Sequence, residues 1–323
     1  MIVSKTPFRI SFAGGGTDIR SFYKNEHGAV LSTAIDQYMY VTVNKYFEDK
    51  VIMKYSKTEE VGRAERIRHP LLREALRMTG IRRGVEITSM ADIVGGTGLG
   101  SSSSFTVGVL NALYAYLGKK VPAERLAREA CTVEIERVGE PIGKQDQYIA
   151  AYGGFQYIEF LSDGRVRVAP VRCPRSKLAR LNGNLMLFYT GKKRSASKLL
   201  GGMQRGMDSK RLYLRELKNL AGAARDSLRK GDIDDFGDIL HHGWLLKKAL
   251  HRGISNPVID RAYASARRRG AIGGKILGAG GGGFLLLFAK PARRASVRRA
   301  MKGWREVEFA FEPKGSRITY KDR

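Results

Sequence analysis

The sequence predicts an α+β protein, with strands and helices in blocks and no regular strand–helix–strand alternation. Three observations carry this. Segments rich in β-branched and aromatic residues occur near both ends. Segments with a helical apolar period lie between them. Three glycine-dense stretches, FAGGGTD, GGTGLGSSSS and GAGGGG, punctuate the pattern. At 323 residues, 43% hydrophobic and 28% charged, the chain has material for two domains or one bilobal domain.

Ile2 to Ala13 alternates as a strand running into the first glycine cluster, and Ala29 to Val43, rich in Val, Tyr and Thr, predicts one or two more. Pro70 to Met78 predicts a helix with proline in its first turn, and Gly84 to Ser89 a short strand. Beyond GGTGLG, the apolar positions Val107, Leu110, Leu113, Tyr114 and Leu117 follow a helical period over Ser101 to Leu117. A second helix is predicted over Ala123 to Val138, behind Pro122. Phe155 to Phe160 and Val166 to Ala169 flank SDG as a hairpin. Asn184 to Thr190 reads as a strand, Ser197 to Arg269 as three helices, and Ile272 to Ala289 as strand, glycine loop, strand. A basic helix over Pro291 to Lys302 and two short strands follow. Pro170, Pro174 and Gly183 interrupt the pattern and suggest two units, 1–175 and 176–323.

The longest apolar run, Phe284 to Ala289, falls far short of the roughly 20 residues of a membrane helix, and the N-terminal residues lack the features of a signal peptide. Cys131 and Cys173 form no CxxC pattern, and the five histidines have no metal-site spacing. These features predict a cytoplasmic protein with no membrane partner. The net charge of +27 is uneven: residues 1–150 carry 21 Lys+Arg against 17 Asp+Glu, and residues 151–323 carry 37 against 14. Such a surface steers anions. The arginines recur at helical spacing beside apolar residues without interleaved aromatics, which favours solvated helix faces over a nucleic-acid groove.

Glycine lets the backbone approach a ligand closely, and N–H groups converging ahead of a helix bind anions. GGTGLGSSSS has that layout. Gly95 and Gly100 have P-loop spacing, but Ser101 stands where a P-loop has lysine. GAGGGG, from Gly278, leads into a strand and so fails as a dinucleotide fingerprint. Ser102, in the first helical turn, is placed to reach a Mg²⁺ bridging two phosphates, and Ser101 is the candidate N-cap. In EIERVGEPIGKQDQY, Glu134 and Asp146 lie twelve residues apart across a bend containing glycine and proline. On its own, Asp146 reads better as a helix-capping aspartate than as a catalytic group.

In this order, PFRISFAGGGTD (Pro7 to Asp18), GGTGLGSSSS (Gly95 to Ser104), the DQ of Asp146 and LGAGGGG (Leu277 to Gly283) resemble the GHMP kinase superfamily from Thr6 to Phe288. The GGGTD ending, the doubled serines, GEPIGKQDQYIAAYGGF and YTGKKRSAS are similar to bacterial D-glycero-D-manno-heptose 7-phosphate kinases. One departure is Val94, which stands where the family usually has proline.

The resemblance implies a two-lobed fold with ATP and substrate at the lobe interface. It implies that Gly96, Thr97, Gly98, Leu99, Gly100, Ser101, Ser102 and Ser103 wrap the ATP phosphates, with Ser102 and Glu134 as Mg²⁺ ligands. Asp146 matches the catalytic aspartate that accepts or orients the substrate hydroxyl proton. Arg9 keeps it ionised and offsets charge on the transferred group. Gly16, Thr17 and Asp18 match substrate contacts, and Gly280, Gly281 and Gly282 close over the site. Lys192, Lys193 and Arg194 follow a strand and suggest a pocket for a substrate phosphate, with Arg194 suited to bidentate contact. The implied activity is transfer of the ATP γ-phosphoryl group to the anomeric hydroxyl of heptose 7-phosphate, giving the 1,7-bisphosphate for nucleotide-activated heptose. Alternatives are a GHMP kinase on another sugar or polyol such as fucose, or a non-catalytic nucleotide-binding or nucleic-acid-binding protein. The sequence does not indicate an oligomeric state.

Overall fold

The computed structural model describes residues 1–193, 201 and 208–322. Two sheets organise it. The first is built on β1 (Ile2–Ala13) and β2 (Gly28–Lys45), antiparallel along nearly their whole length. The sequence allowed one or two strands in the second segment; a single 18-residue strand forms. It serves two neighbours. Its first half pairs with β6 (Phe155–Phe160), which pairs with β7 (Val166–Pro170), while its second half pairs with β5 (Val85–Ala91). Beyond β5 lie β3 (Val51–Lys54) and β4 (Thr58–Val61). Sequence reading misses these two, because four residues per strand are too few to show a period and the second, TEEV, carries two glutamates.

The second sheet has the order β11 (Arg305–Val307), β8 (Leu185–Tyr189), β10 (Phe284–Ala289), β9 (Ala271–Ile276), all antiparallel. The chain then returns to the first sheet. β12 (Arg317–Lys321) pairs with Ile2–Lys5 on the free side of β1.

Helices cover both sheets. After α1 (Arg20–Tyr23), α2 (Pro70–Thr79) starts at its proline and stops at Gly80 in the left-handed conformation. α3 (Ser101–Tyr116) packs on β1 and β2. The helix predicted over Ala123 to Val138 is α-helical only as α4 (Ala123–Cys131), and Thr132–Arg137 widen into a π-helical turn. α5 (Gln145–Tyr152) follows the bend read between Glu134 and Asp146, in a segment given no element from the sequence, and α6 (Arg175–Asn184) lies in the segment read as a boundary. Next come α7 (Arg211–Lys230), α8 (Phe236–Leu250), α9 (Pro257–Arg268) and α10 (Pro291–Ala300). α10 buries only Val297 and leaves Arg293, Arg298 and Arg299 exposed, so part of the basic excess is a solvated helix face. Among the described residues, no helix is long and apolar enough to cross a membrane.

Phe8, Ile10 and Phe12 of β1 share one core with Leu228, Phe236, Phe284, Leu286 and Phe288. That core ties the first sheet to the second. Because strand side chains alternate, the same packing sends Arg9 and Ser11 to the opposite face of β1. Burial of large apolar side chains on one face therefore fixes two polar ones on the other.

Candidate active site

Arg9 and Ser11 open into a cleft of about 320 Å³ between the two sheets' elements. Arg9 is only 4% exposed, yet all its guanidinium contacts are polar. Nε and Nη2 donate to Oδ1 and Oδ2 of Asp146 at 2.7 and 2.6 Å, and Nη1 donates to the Gly98 carbonyl at 2.6 Å. The bidentate geometry leaves the carboxylate one orientation, facing the cleft. Asp146 stands in the first turn of α5 and does not cap it: no side chain caps that helix.

Gly96, Gly98 and Gly100 adopt φ of 77°, 88° and 76°, a region side chains disfavour, and line the cleft with Ser101, Ser102 and Ser103. A Cβ at Gly100 would sit 3.3 Å from Asp146 Oδ2 and 3.1 Å from Arg9 Cγ. Gly100 also takes the N-cap position expected for Ser101, and no hydroxyl caps α3. The unsatisfied N–H groups of the first turn thus remain free for an anion. Leu99 and Thr97 point away from the cleft: Leu99 is buried in the inter-sheet core, and Thr97 bonds the Val94 carbonyl at 2.9 Å.

Glu134 lies in the π-helical turn, fully buried. Such turns insert one extra residue and reorient side chains. Ser102 and Thr106 donate to its Oε1, each at 3.0 Å; Ser103 donates to Oε2 at 2.7 Å, as does Gln147. All four donors are neutral. Burial outweighs them and pushes the carboxyl up to about 7. A buried carboxylate beside a cleft-lining hydroxyl is an all-oxygen donor pair, which fits Mg²⁺ completed by phosphate oxygens and water.

A stability test follows. Because the folded-state value lies above the unfolded one, ionising Glu134 costs stability as pH rises through about 4.5 to 7, by on the order of 3 kcal/mol in total. Glu134→Gln is therefore expected to raise the unfolding midpoint of metal-free protein at pH 8 and to weaken Mg²⁺-dependent nucleotide binding. A less stable variant would show that the four hydrogen bonds outweigh burial.

The first glycine motif divides its work. Asp18 is 3% exposed and accepts N–H groups from Gly16 and Gln145 at 3.0 and 3.2 Å. Burial first, and then the Asp146 charge, raise its pKa. Gly16 and Asp18 line the cleft. Thr17, read as a substrate contact, has its hydroxyl engaged with the backbone: it donates to the carbonyls of Gly14 and Ala29 and accepts from the Ala29 N–H, locking the loop. The third motif is also displaced from expectation. Gly278 and Ala279 line the cleft, while Gly280–Gly282 lie behind it, with Gly281 N–H on the Ile254 carbonyl at 2.7 Å. A Cβ on Gly283 would fall 2.1 Å from the Thr97 carbonyl, so the third motif braces the second. Arg194 lies outside the described residues.

Two lysines not singled out in the sequence line the same cleft. Lys275 Nζ donates to the carbonyls of Ser11 and Phe12 at 3.0 and 2.9 Å, and Lys247 Nζ to those of Ile276 and Gly278. Burial, with Arg9 adding to it, pushes Lys275 down to about 7. The overlooked signal was a lysine inside AIGGKIL, an otherwise apolar strand.

Comparison with known proteins identifies the family and the fold. Residues 65–154 match the GHMP kinases N terminal domain, and residues 224–305 match GHMP kinases C terminal. The chain is 29% identical to D-glycero-alpha-D-manno-heptose 7-phosphate kinase of Campylobacter jejuni, covering 97% of each. It is 26% identical to the galactokinase of Pyrococcus furiosus, again over 97% of each. The crystal structure of a D-glycero-D-manno-heptose 1-phosphate kinase from Bacteroides thetaiotaomicron superposes over 100% of both chains, with a TM-score of 0.82 and 25% identity.

Proposed function

This chain belongs to the GHMP kinases, ATP-dependent phosphotransferases acting on sugars and similar alcohols, and on that premise we propose that its acceptor is D-glycero-D-manno-heptose 7-phosphate, phosphorylated on the anomeric hydroxyl to the 1,7-bisphosphate. The observation that carries the catalytic part is the Arg9–Asp146 ion pair anchored to the phosphate-loop carbonyl of Gly98. The choice of sugar is supported by the similarity to the Campylobacter jejuni enzyme over nearly all of both chains.

In this reading the glycine loop and the α3 N-terminus hold the ATP phosphates. Ser102 and Glu134 would hold a Mg²⁺, which when bound would neutralise charge on the phosphate oxygens. Asp18 orients acceptor hydroxyls. Asp146 fixes the attacking hydroxyl and takes its proton as the oxygen attacks the γ-phosphorus, ADP leaving on the far side. Arg9 keeps the Asp146 carboxylate aimed and balances charge that builds on the transferring group. The protein's contribution is positioning and electrostatics, as phosphoryl transfer requires.

The test is ADP release with Mg²⁺-ATP over heptose 7-phosphate, heptose 1-phosphate, mannose, fucose, galactose, mevalonate and inositol. The expected result is a kcat/KM for heptose 7-phosphate at least about tenfold above every other acceptor, since one lost charged contact alone is worth that much. A preference for heptose 1-phosphate would move the reaction to the other end of the sugar.

A further inference from the structure

We propose that Lys275 and Ser11 form a subsite for a phosphate group already carried by the acceptor, which makes the enzyme selective for phosphorylated sugars. The inference rests on reading the cleft as a sugar-kinase site, and it assigns a different part of that cleft.

Lys275 is 5% exposed and borders the cleft. Among the described residues its ammonium meets only the Ser11 and Phe12 carbonyls, and no carboxylate pairs with it. An ammonium carries three donors, so one remains beyond those two. A buried cation held only by neutral groups is costly unless an anion joins it. Next to it, among the described residues, the buried Ser11 Oγ has no hydrogen-bond partner, so its hydroxyl is left to donate. Gly15 keeps the space in front of them clear: a Cβ there would stand 3.8 Å from Ser11 Oγ and 3.6 Å from Gln145 Nε2. The third ammonium donor and the Ser11 hydroxyl, set together beside the cleft on an uncompensated cation, match a phosphate oxygen cluster.

The position selects the acceptor over the nucleotide. Arg9 is tied to the phosphate loop through Gly98. Ser11 lies two residues further along β1, roughly 7 Å on, toward Gly15, Gly16 and Asp18. An anion at Lys275 is therefore displaced along β1 from the Arg9–Gly98 contact, on the side toward which a seven-carbon sugar with its anomeric end at Asp146 would extend.

The test compares wild type with Lys275→Met, which keeps length and removes the buried charge while taking one donor from the Ser11 and Phe12 carbonyls. kcat/KM is measured for heptose 7-phosphate and for the same heptose without phosphate, with inorganic phosphate as a competitor against each. The preference for the phosphorylated acceptor is expected to fall about 10- to 100-fold in the variant. Inorganic phosphate should compete with acceptor in wild type and lose that effect in the variant. Equal losses on both acceptors, with a raised KM for ATP, would assign the anion to the nucleotide and overturn the proposal. An unchanged preference would overturn it too, while leaving the heptose reading intact. If wild type instead prefers a different sugar phosphate and the variant loses that preference, the subsite stands and the heptose reading falls.

Discussion

Asp146→Asn is expected to lower the rate of phosphoryl transfer by about 10²- to 10⁴-fold while Mg²⁺-ATP still binds. Asparagine keeps the shape, but its amide offers one acceptor and one pair of donors. Arg9 presents N–H groups to both carboxylate oxygens, so one contact becomes donor against donor and the side chain loses its fixed aim. It also loses the ability to take the hydroxyl proton. The nucleotide loop is untouched, because its link to Arg9 runs through the Gly98 carbonyl. Single-turnover kinetics measure the first effect and calorimetric titration with a non-hydrolysable ATP analogue the second. A variant with near-normal rates would remove Asp146 from the reaction.

The second large effect is expected at Arg9. Arg9→Met should cost about 10²- to 10³-fold in kcat/KM, the usual loss when one preorganised charge-stabilising donor is deleted. Arg9→Lys should recover little, because an ammonium is a point charge and cannot serve two carboxylate oxygens and a loop carbonyl in one plane. The Asp146 side chain keeps 23% exposure, so losing its partner leaves it partly solvated, and folding stability should fall by only about 1–3 kcal/mol. If the two residues act as a unit, the Arg9→Met, Asp146→Asn double variant will be scarcely slower than the worse single one. Additive losses would mean independent roles.

Much of this site was legible in the sequence because its parts are local. The strand ending in FAGGGTD and the glycine–serine stretch ahead of α3 show their periods within a few residues. Other parts were not. Glu134 stands in a π-helical turn that continues α4 without a break in apolar pattern, so a uniform helix was the natural reading. Thr17 and Asp18 are adjacent polar residues, yet the turn after β1 sends one into the backbone and the other to the cleft. Lys275 contacts carbonyls more than 260 residues away; no local pattern encodes that. The short strands β3 and β4 lacked length, and β12 lacked any local sign of its partner.

The pairing of β12 with the start of β1 has a bearing on how the protein comes off the ribosome. Residues 2–5 emerge long before the strand that covers their free edge, 317–321, which is made only after the whole second sheet. Until then the strand carrying Arg9 exposes an unpaired edge, the kind of template on which nascent chains associate wrongly. The amino-terminal half is thus expected to finish folding after translation of the carboxy-terminal half, not ahead of it.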